Sequence, residues 1–364
     1  MRKLLLVLLF FLLPCFGRAE EAVDETIDSL DLSSWQAAVD EAGAELDVVQ
    51  IVRVLAQGEM EFTPEAFMDL LREMILGEAD GFYGQLLAFM GPALLWAVNR
   101  YLLSGGKLGE ATGYVCFLAG AGVMLGAFAS QMELARTTVR RMGNLTEQVF
   151  PVIVGLMSAS GSPGAGSAVQ AMVAFAGGAM SAFLEKAIAV MCGGAAVLAA
   201  ADNLTERIRL GGLFRLCRSV GNWLFGGIMA AFLGMTTLSG LLGGAQDGVT
   251  IRAAKYAVDN LLPVVGGDVA DAMDGMVRSA MLVRSAAGVT GVIVMLSVCL
   301  RPVLRLALGM LTCRLAAALT EPVAEGPLSR CMEQLGQATQ MLLTAVSVSA
   351  ALFITLTGVC LTAG

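Results

Sequence analysis

The chain contains no histidine. That absence removes histidine-ligated metal centres, serine–histidine–aspartate and cysteine–histidine catalysis, and the usual proton shuttle of neutral pH. Charge is scarce: only 15% of the residues are Asp, Glu, Lys or Arg, where a soluble domain carries about 25%. The eight cysteines form no CxxC pair, and most lie in apolar runs, where a thiol is a small hydrophobe; no disulfide framework is expected. No GxxxxGKS or GxxxxGKT segment is present to cradle a phosphate, so the chain is not itself an NTPase. A GxSxG nucleophile elbow is also missing. "VGGD" at 265–268 resembles the GxGD of intramembrane aspartyl proteases only superficially, because the glycine spacing differs and no second aspartate sits in a matching apolar helix. No catalytic, metal-ligating or cofactor-binding residue is assigned; neither an enzymatic activity nor a cofactor is expected.

What remains is oily. Mean hydropathy is +0.74 and 57% of residues are hydrophobic, with Gly 43 and Met 21. This composition points to an all-α, polytopic helical membrane protein. At the N-terminus Arg2 and Lys3 precede an apolar run from Leu4 to Leu13, too short to span a bilayer comfortably. Gly17-Arg18-Ala19 then sets small residues where a signal peptidase cuts, so residues 1–19 read as a signal peptide. The next region would then lie outside the cytoplasm. Residues 20–80 hold seventeen acidic and two basic side chains, Arg53 and Arg72, whereas residues 81–364 hold fourteen acidic and eighteen basic ones. The acidic region has nothing to neutralise phosphates, and no nucleic-acid partner is expected.

Helical spacing runs through residues 20–80: Val23, Ile27 and Leu30, then Val48, Val49, Val52 and Leu55. Ser33 with Gln36 resembles a capping box. "FTPEAFMDLLREMILGE" reads as a helix capped by Thr63, with Pro64 in its first turn and Gly77 as its stop. From residue 81 onwards lies the polytopic domain, with apolar segments at 84–103, 111–131, 145–160, 165–184, 187–201, 222–242, 285–300, 302–319 and 338–360. Several fall short of the roughly 20 residues a span needs, so about six to eight spans are expected. Segments 145–160 and 187–201 read as re-entrant or tilted. Glycine-rich stretches such as "GGAMSAF" and "FGGIMAAFLGM" let helices approach closely in lipid. Basic residues do not orient the block: Arg100 and Lys107 lie in one connection, and Arg136, Arg140 and Arg141 in the next.

The sequence also echoes itself. "NLTEQVFPVIVGL" (144–156) aligns with "AVDNLLPVVGGDV" (257–269), and "AAADNLTERIRLGGLFRLCRSVG" (199–221) with "AAALTEPVAEGPLSRCMEQLG" (316–336). Residues 136–247 and 249–362 thus read as two copies of one unit. Each copy carries about three apolar segments, an odd number that would invert one copy relative to the other.

The most polar part of the membrane domain is "AAKYAVDNLLPVVGGDVADAMDG" (253–275). Ile251, Ala254, Val258 and Leu261 share one helical face; Arg252, Lys255 and Asp259 share another. Pro263 kinks or stops that helix, and Gly266-Gly267 permits a sharp turn. A second amphipathic helix follows, with Asp268, Asp271 and Asp274 on its polar side. Two readings fit this helix–break–helix: a solvated surface hairpin, or a discontinuous membrane segment lining a pathway. Arg301, Arg305 and Arg314 lie in or beside an apolar run and need partners, and the aspartates are candidates. Lys255, Asp259, Asn260, Pro263, Gly266, Gly267, Asp271, Arg301 and Arg305 are therefore the candidate gate or contact residues. On residues alone, a subunit of a larger complex and a self-sufficient small-solute permease with its site around Lys255–Asp271 both remain open.

The same region carries a resemblance. "QDGVTIRAAKYAVDNLLPVVGGDVADAMDGMVRSAMLVRSAAGVTG" (246–291) is similar to the stage III sporulation protein AE family of endospore-forming bacteria. The shared pattern falls on Asp247, Gly248, Lys255, Tyr256, Asn260, Pro263, Val264, Gly266, Arg284 and Gly288. "LTEPVAEGPLSRCMEQLG" (319–336) resembles the polar linker of that family. The resemblance implies a non-enzymatic component of a secretion-like channel complex in the mother-cell membrane around the forespore. It implies as partners the other stage III A-operon proteins, including a separate ATPase subunit, and the forespore stage II protein Q.

Overall fold

The computed structural model describes residues 33–41, 46–57, 72–102, 107–159, 170, 175–204, 210–243, 266–322 and 326–362. Among these residues every regular element is helical. We number the α-helices α1 Ser33–Glu41, α2 Val48–Gln57, α3 Ala79–Leu102, α4 Lys107–Ala159, α5 Ser181–Ala187, α6 Gly193–Leu204, α7 Gly211–Gly243, α8 Gly266–Thr320 and α9 Pro327–Thr362. Two π-helical turns, Phe175–Met180 and Ile188–Cys192, flank α5 and join it to α6 as one rod. Among the described residues six helices are long and apolar enough to cross a membrane: Arg72–Asn99, Ala111–Gly155, Gly178–Leu204, Gly211–Thr236, Met281–Thr320 and Pro327–Gly358. The chain is a multi-pass, all-helical membrane protein.

Nine apolar segments become six helices because three pairs fuse. The segments at 111–131 and 145–160 are joined by a polar stretch that stays helical, giving α4 its 53 residues. Along that stretch Ala135, Val139, Met142, Leu145 and Val149 are buried while Glu133, Arg140, Arg141 and Glu147 face outward. The 3.6-residue period thus continues through the polar stretch. The described part of 165–184 fuses with 187–201 through α5, which carries Glu185 and Lys186 between them, and the π turn at Ile188–Cys192 continues the rod into α6. Those at 285–300 and 302–319 fuse across Pro302 into α8, 55 residues and about 80 Å long at 1.5 Å per residue. Pro151 likewise lies inside α4, so the proline of the first copy marks no break. The expected re-entrant segments at 145–160 and 187–201 are instead parts of these long rods.

Close contacts fix the directions. Asn99 donates to the Gly109 carbonyl at 3.2 Å, and a Cβ on Gly120 would stand 3.0 Å from Pro92, so α3 and α4 run antiparallel. Gly309 lies against Gln131 while Gly291 lies near Val149, so α8 also runs against α4. Gly291 meets Thr357 and Gly336 meets Cys313, so α9 returns antiparallel to α8. Gly211 meets Asp202 and Cys217 reaches the Met191 carbonyl, making α6 and α7 a third antiparallel pair. The fold is therefore three hairpins whose tight connections share one end. The α8–α9 hairpin is the centre: 50% and 56% of their apolar windows are buried, against 17% for the first span and 22% for α7.

Part of the acidic region folds back on this bundle. Trp35, Val39, Val48 and Val52 are almost fully buried, with α1 packed on α4 and α2 on α8. Gln36 forms no capping box. Its amide donates to the Leu46 carbonyl at 2.9 Å and accepts from the Val48 N–H at 2.8 Å, tying α1 to the start of α2. Gly77 is no helix stop either. Helix continues from 72 through 77, a single turn at Glu78 follows, and the Glu78 N–H bonds Met74 O while Phe82 N–H bonds Glu78 O. The division at 80/81 thus falls within the first span. Residues 1–19 lie outside the described residues.

Candidate functional site

Three polar arrangements stand out in a molecule so poor in charge. The first is a pair of arginine clamps. In α8, Arg301 and Arg305 lie one turn apart, and both reach Glu78, at 3.1 and 3.7 Å. The glutamate side chain is only 12% exposed, while the arginines are 72% and 63% exposed. In α4, Arg136 and Arg140 are likewise one turn apart and both pair with Glu185 of α5; Arg136 also meets Glu133 at 3.4 Å. Arg136 contacts Glu185 at 2.9 Å, and Arg140 adds a second bond through Nε at 3.3 Å. Glu185 sits between the two π turns, which set its side chain toward α4. Single-turn π segments of this kind often mark functional positions. In both clamps a carboxylate that burial would penalise is held by two guanidinium groups.

The second arrangement is a polar collar around α9. Over residues 334–340 this helix bonds four neighbours in succession. Gln334 accepts from Asn203 at 2.8 Å and donates to Asp202 at 3.0 Å, both on α6. Gln337 accepts from Arg218 of α7 at 2.9 Å, and Gln340 from Arg314 of α8 at 2.9 Å. Thr339, almost fully buried, donates to Gln131 of α4 at 3.0 Å. Gly309 permits this last bond, since a Cβ there would collide with the Gln131 amide. Other buried hydroxyls, those of Thr146, Thr290, Thr312 and Thr357, are satisfied by the carbonyl four residues back. These buried hydroxyls and amides are spent on helix-to-helix or within-helix bonds, whereas the Ser349 hydroxyl and Trp96 Nε1 are buried without a partner.

The third arrangement is an open cleft of about 1000 Å³ at the end where the tight connections lie, bounded by α8, α9 and Trp96 of α3.

Of the residues singled out in sequence, Lys255, Asp259, Asn260 and Pro263 lie outside the described residues. Gly266 and Gly267 open α8, and Asp271 is in its second turn. From there the helix runs unbroken into the apolar span, so the second arm of the helix–break–helix is the beginning of α8. Arg301 and Arg305 find a partner in Glu78, 223 positions earlier than Arg301, and Arg314 finds Gln340. Glu78, Glu185 and, apart from Arg314, the collar residues were not singled out in sequence. A glutamine repeat at 334, 337 and 340 within a helix-length apolar run is the one signal that marks the collar.

No solved structure matches this chain. The stage III sporulation protein AE of Bacillus subtilis (strain 168) is 21% identical over 359 residues, covering 95% of this chain and 89% of that protein. The stage III sporulation protein AE family itself matches residues 46–364, a stretch that takes in α2, the six spans, both clamps and the collar. The chain belongs to the stage III sporulation protein AE family.

Proposed function

We propose that the protein is a non-enzymatic membrane subunit of a sporulation channel or secretion-like complex. It acts between mother cell and forespore, in the mother-cell membrane that surrounds the forespore, with its N-terminal region outside the cytoplasm. Its partners are other stage III A-operon proteins, including a separate ATPase subunit, and the forespore stage II protein Q. One observation carries this reading. Polar side chains from α4, α6, α7 and α8 bond to successive positions of α9 and tie four helices to it. That construction holds helices in fixed register and suits a scaffold better than a carrier that must expose a site to each side in turn.

The test is assembly against autonomy. The full chain is purified from membranes with and without its proposed partners, and reconstituted alone in liposomes. The expected result is co-isolation with the partners and no solute flux from the lone chain. Flux from the lone chain that Asp259→Asn or Lys255→Ala abolishes would establish the permease instead.

A further inference from the structure

The cleft bounded by α8, α9 and Trp96 lies where spans terminate. Trp96 is three residues from the end of the first span, and Arg314 and Glu321 flank the end of the fifth. Arg330, Glu333 and Gln337 belong to the first turns of the sixth. This is the level at which a bilayer gives way to headgroups, and tryptophan is enriched there.

The cleft gathers two guanidinium groups and two carboxylates without neutralising them internally. No ion pair among the described residues joins Arg314 or Arg330 to Glu321 or Glu333. Arg314 is held by Gln340 at 2.9 Å, and Glu333 accepts from Gln337 at 3.3 Å, which fixes one charge of each sign in place. Trp96 Nε1 is buried without a hydrogen-bond partner. It packs against Gly326, where a Cβ would stand 3.4 Å from it. A ligand that satisfies these charges carries both signs, and brings an acceptor for the guanidinium groups and a donor for the carboxylates.

We propose that this cleft binds the headgroup of a zwitterionic phospholipid bearing a primary ammonium, of the phosphatidylethanolamine type. Its phosphate lies against Arg314 and Arg330, beside the Trp96 ring that lines the cleft. Its ammonium donates to Glu321 and Glu333. A trimethylammonium headgroup has no N–H to give those carboxylates, and an anionic headgroup leaves them facing a like charge. The position at the span ends favours a lipid over a ligand from bulk solution.

The experiment mixes the full chain in detergent with equal amounts of phosphatidylethanolamine, phosphatidylcholine and phosphatidylglycerol, and counts retained lipid by native mass spectrometry. Phosphatidylethanolamine should be retained in preference by about fivefold to tenfold, the scale of one or two charge-assisted hydrogen bonds. Arg330→Gln should lower its retention. Glu321→Gln with Glu333→Gln should erase the preference over phosphatidylglycerol while phosphate binding persists. Unchanged thermal unfolding of the variants confirms that they fold. Equal retention of the three lipids, or a preference that survives all these substitutions, overturns the proposal. So does free O-phosphoethanolamine binding as well as the lipid, which would assign the cleft to a soluble ligand. Loss of a protein partner by variants that still retain all three lipids as the parent chain does would overturn it in favour of a protein contact.

Discussion

Glu78 and Glu185 each sit, mostly buried, between two arginines one helical turn apart. The doubling has a consequence. An exposed arginine in a single ion pair contributes about 1 kcal/mol or less, because water and salt screen it. With Glu78, removing either Arg301 or Arg305 leaves the other guanidinium to hold the carboxylate. Arg301→Gln or Arg305→Gln alone should therefore shift thermal unfolding of the detergent-solubilised protein only slightly. The double substitution should cost more than the two single ones added together, since it strands a carboxylate that is 12% exposed. Additive effects would mean that Glu78 is neutralised by other groups. Raising the salt should weaken the singles and the parent alike, because both arginines are on the outer side of the pair.

At the scale of elements, the fold was legible where one face alone decides the helix and illegible where a partner decides it. The apolar segments on α3, α7 and α9 were found in place, because their hydrophobic runs need no help. The middle of α4 and the Arg301–Arg305 stretch of α8 read as interruptions because hydropathy records charge and not pairing. Glu185 and Glu78 neutralise those arginines from other helices, so the backbone continues as helix where composition suggests a loop. Gln36 shows the same limit in miniature. Its spacing from Ser33 fits a capping box, yet the chain folds back after α1 and gives the amide better partners at Leu46 and Val48. The site was less legible than the fold: Arg301 and Arg305 were singled out, their true partner was not, and the collar bonds join residues up to 208 positions apart. The α1–α2 hairpin itself yields a test. Gln36→Ala removes both bonds that close it, about 1–3 kcal/mol of local stability. Limited proteolysis of the full chain should then cut the connection between α1 and α2 faster, while cleavage of the membrane helices is unchanged. An unaltered cutting rate would mean that burial of Trp35 and Val39 alone holds α1 in place.

For the whole molecule, the arrangement of hairpins bears on the proposed duplication. Helix α6 ends at Leu204 and α7 begins at Gly211; α8 ends at Thr320 and α9 begins at Pro327, seven positions on in each case. If residues 136–247 and 249–362 are copies of one unit, each contributes a hairpin of two spans, because α5 joins two apolar segments into one rod. Two spans return the chain to the side it left, so the copies would share one orientation and not be inverted, as the odd count of segments had suggested. Six crossings, the number among the described residues, would also place the start of the first span and the end of the last on one side. Single cysteines replacing Tyr101, Gly212 and Glu321, in a background free of native cysteine, should then react with an impermeant maleimide from one face of the membrane. Cysteines replacing Glu73 and Gly267 should react from the other. Labelling of Gly212→Cys from the face opposite to Glu321→Cys would show that one hairpin is inverted and would restore the inverted-repeat reading. Labelling of Tyr101→Cys together with Glu73→Cys would show that the first span does not cross, which would also account for the failure of Arg100, Lys107, Arg136, Arg140 and Arg141 to fix an orientation by charge.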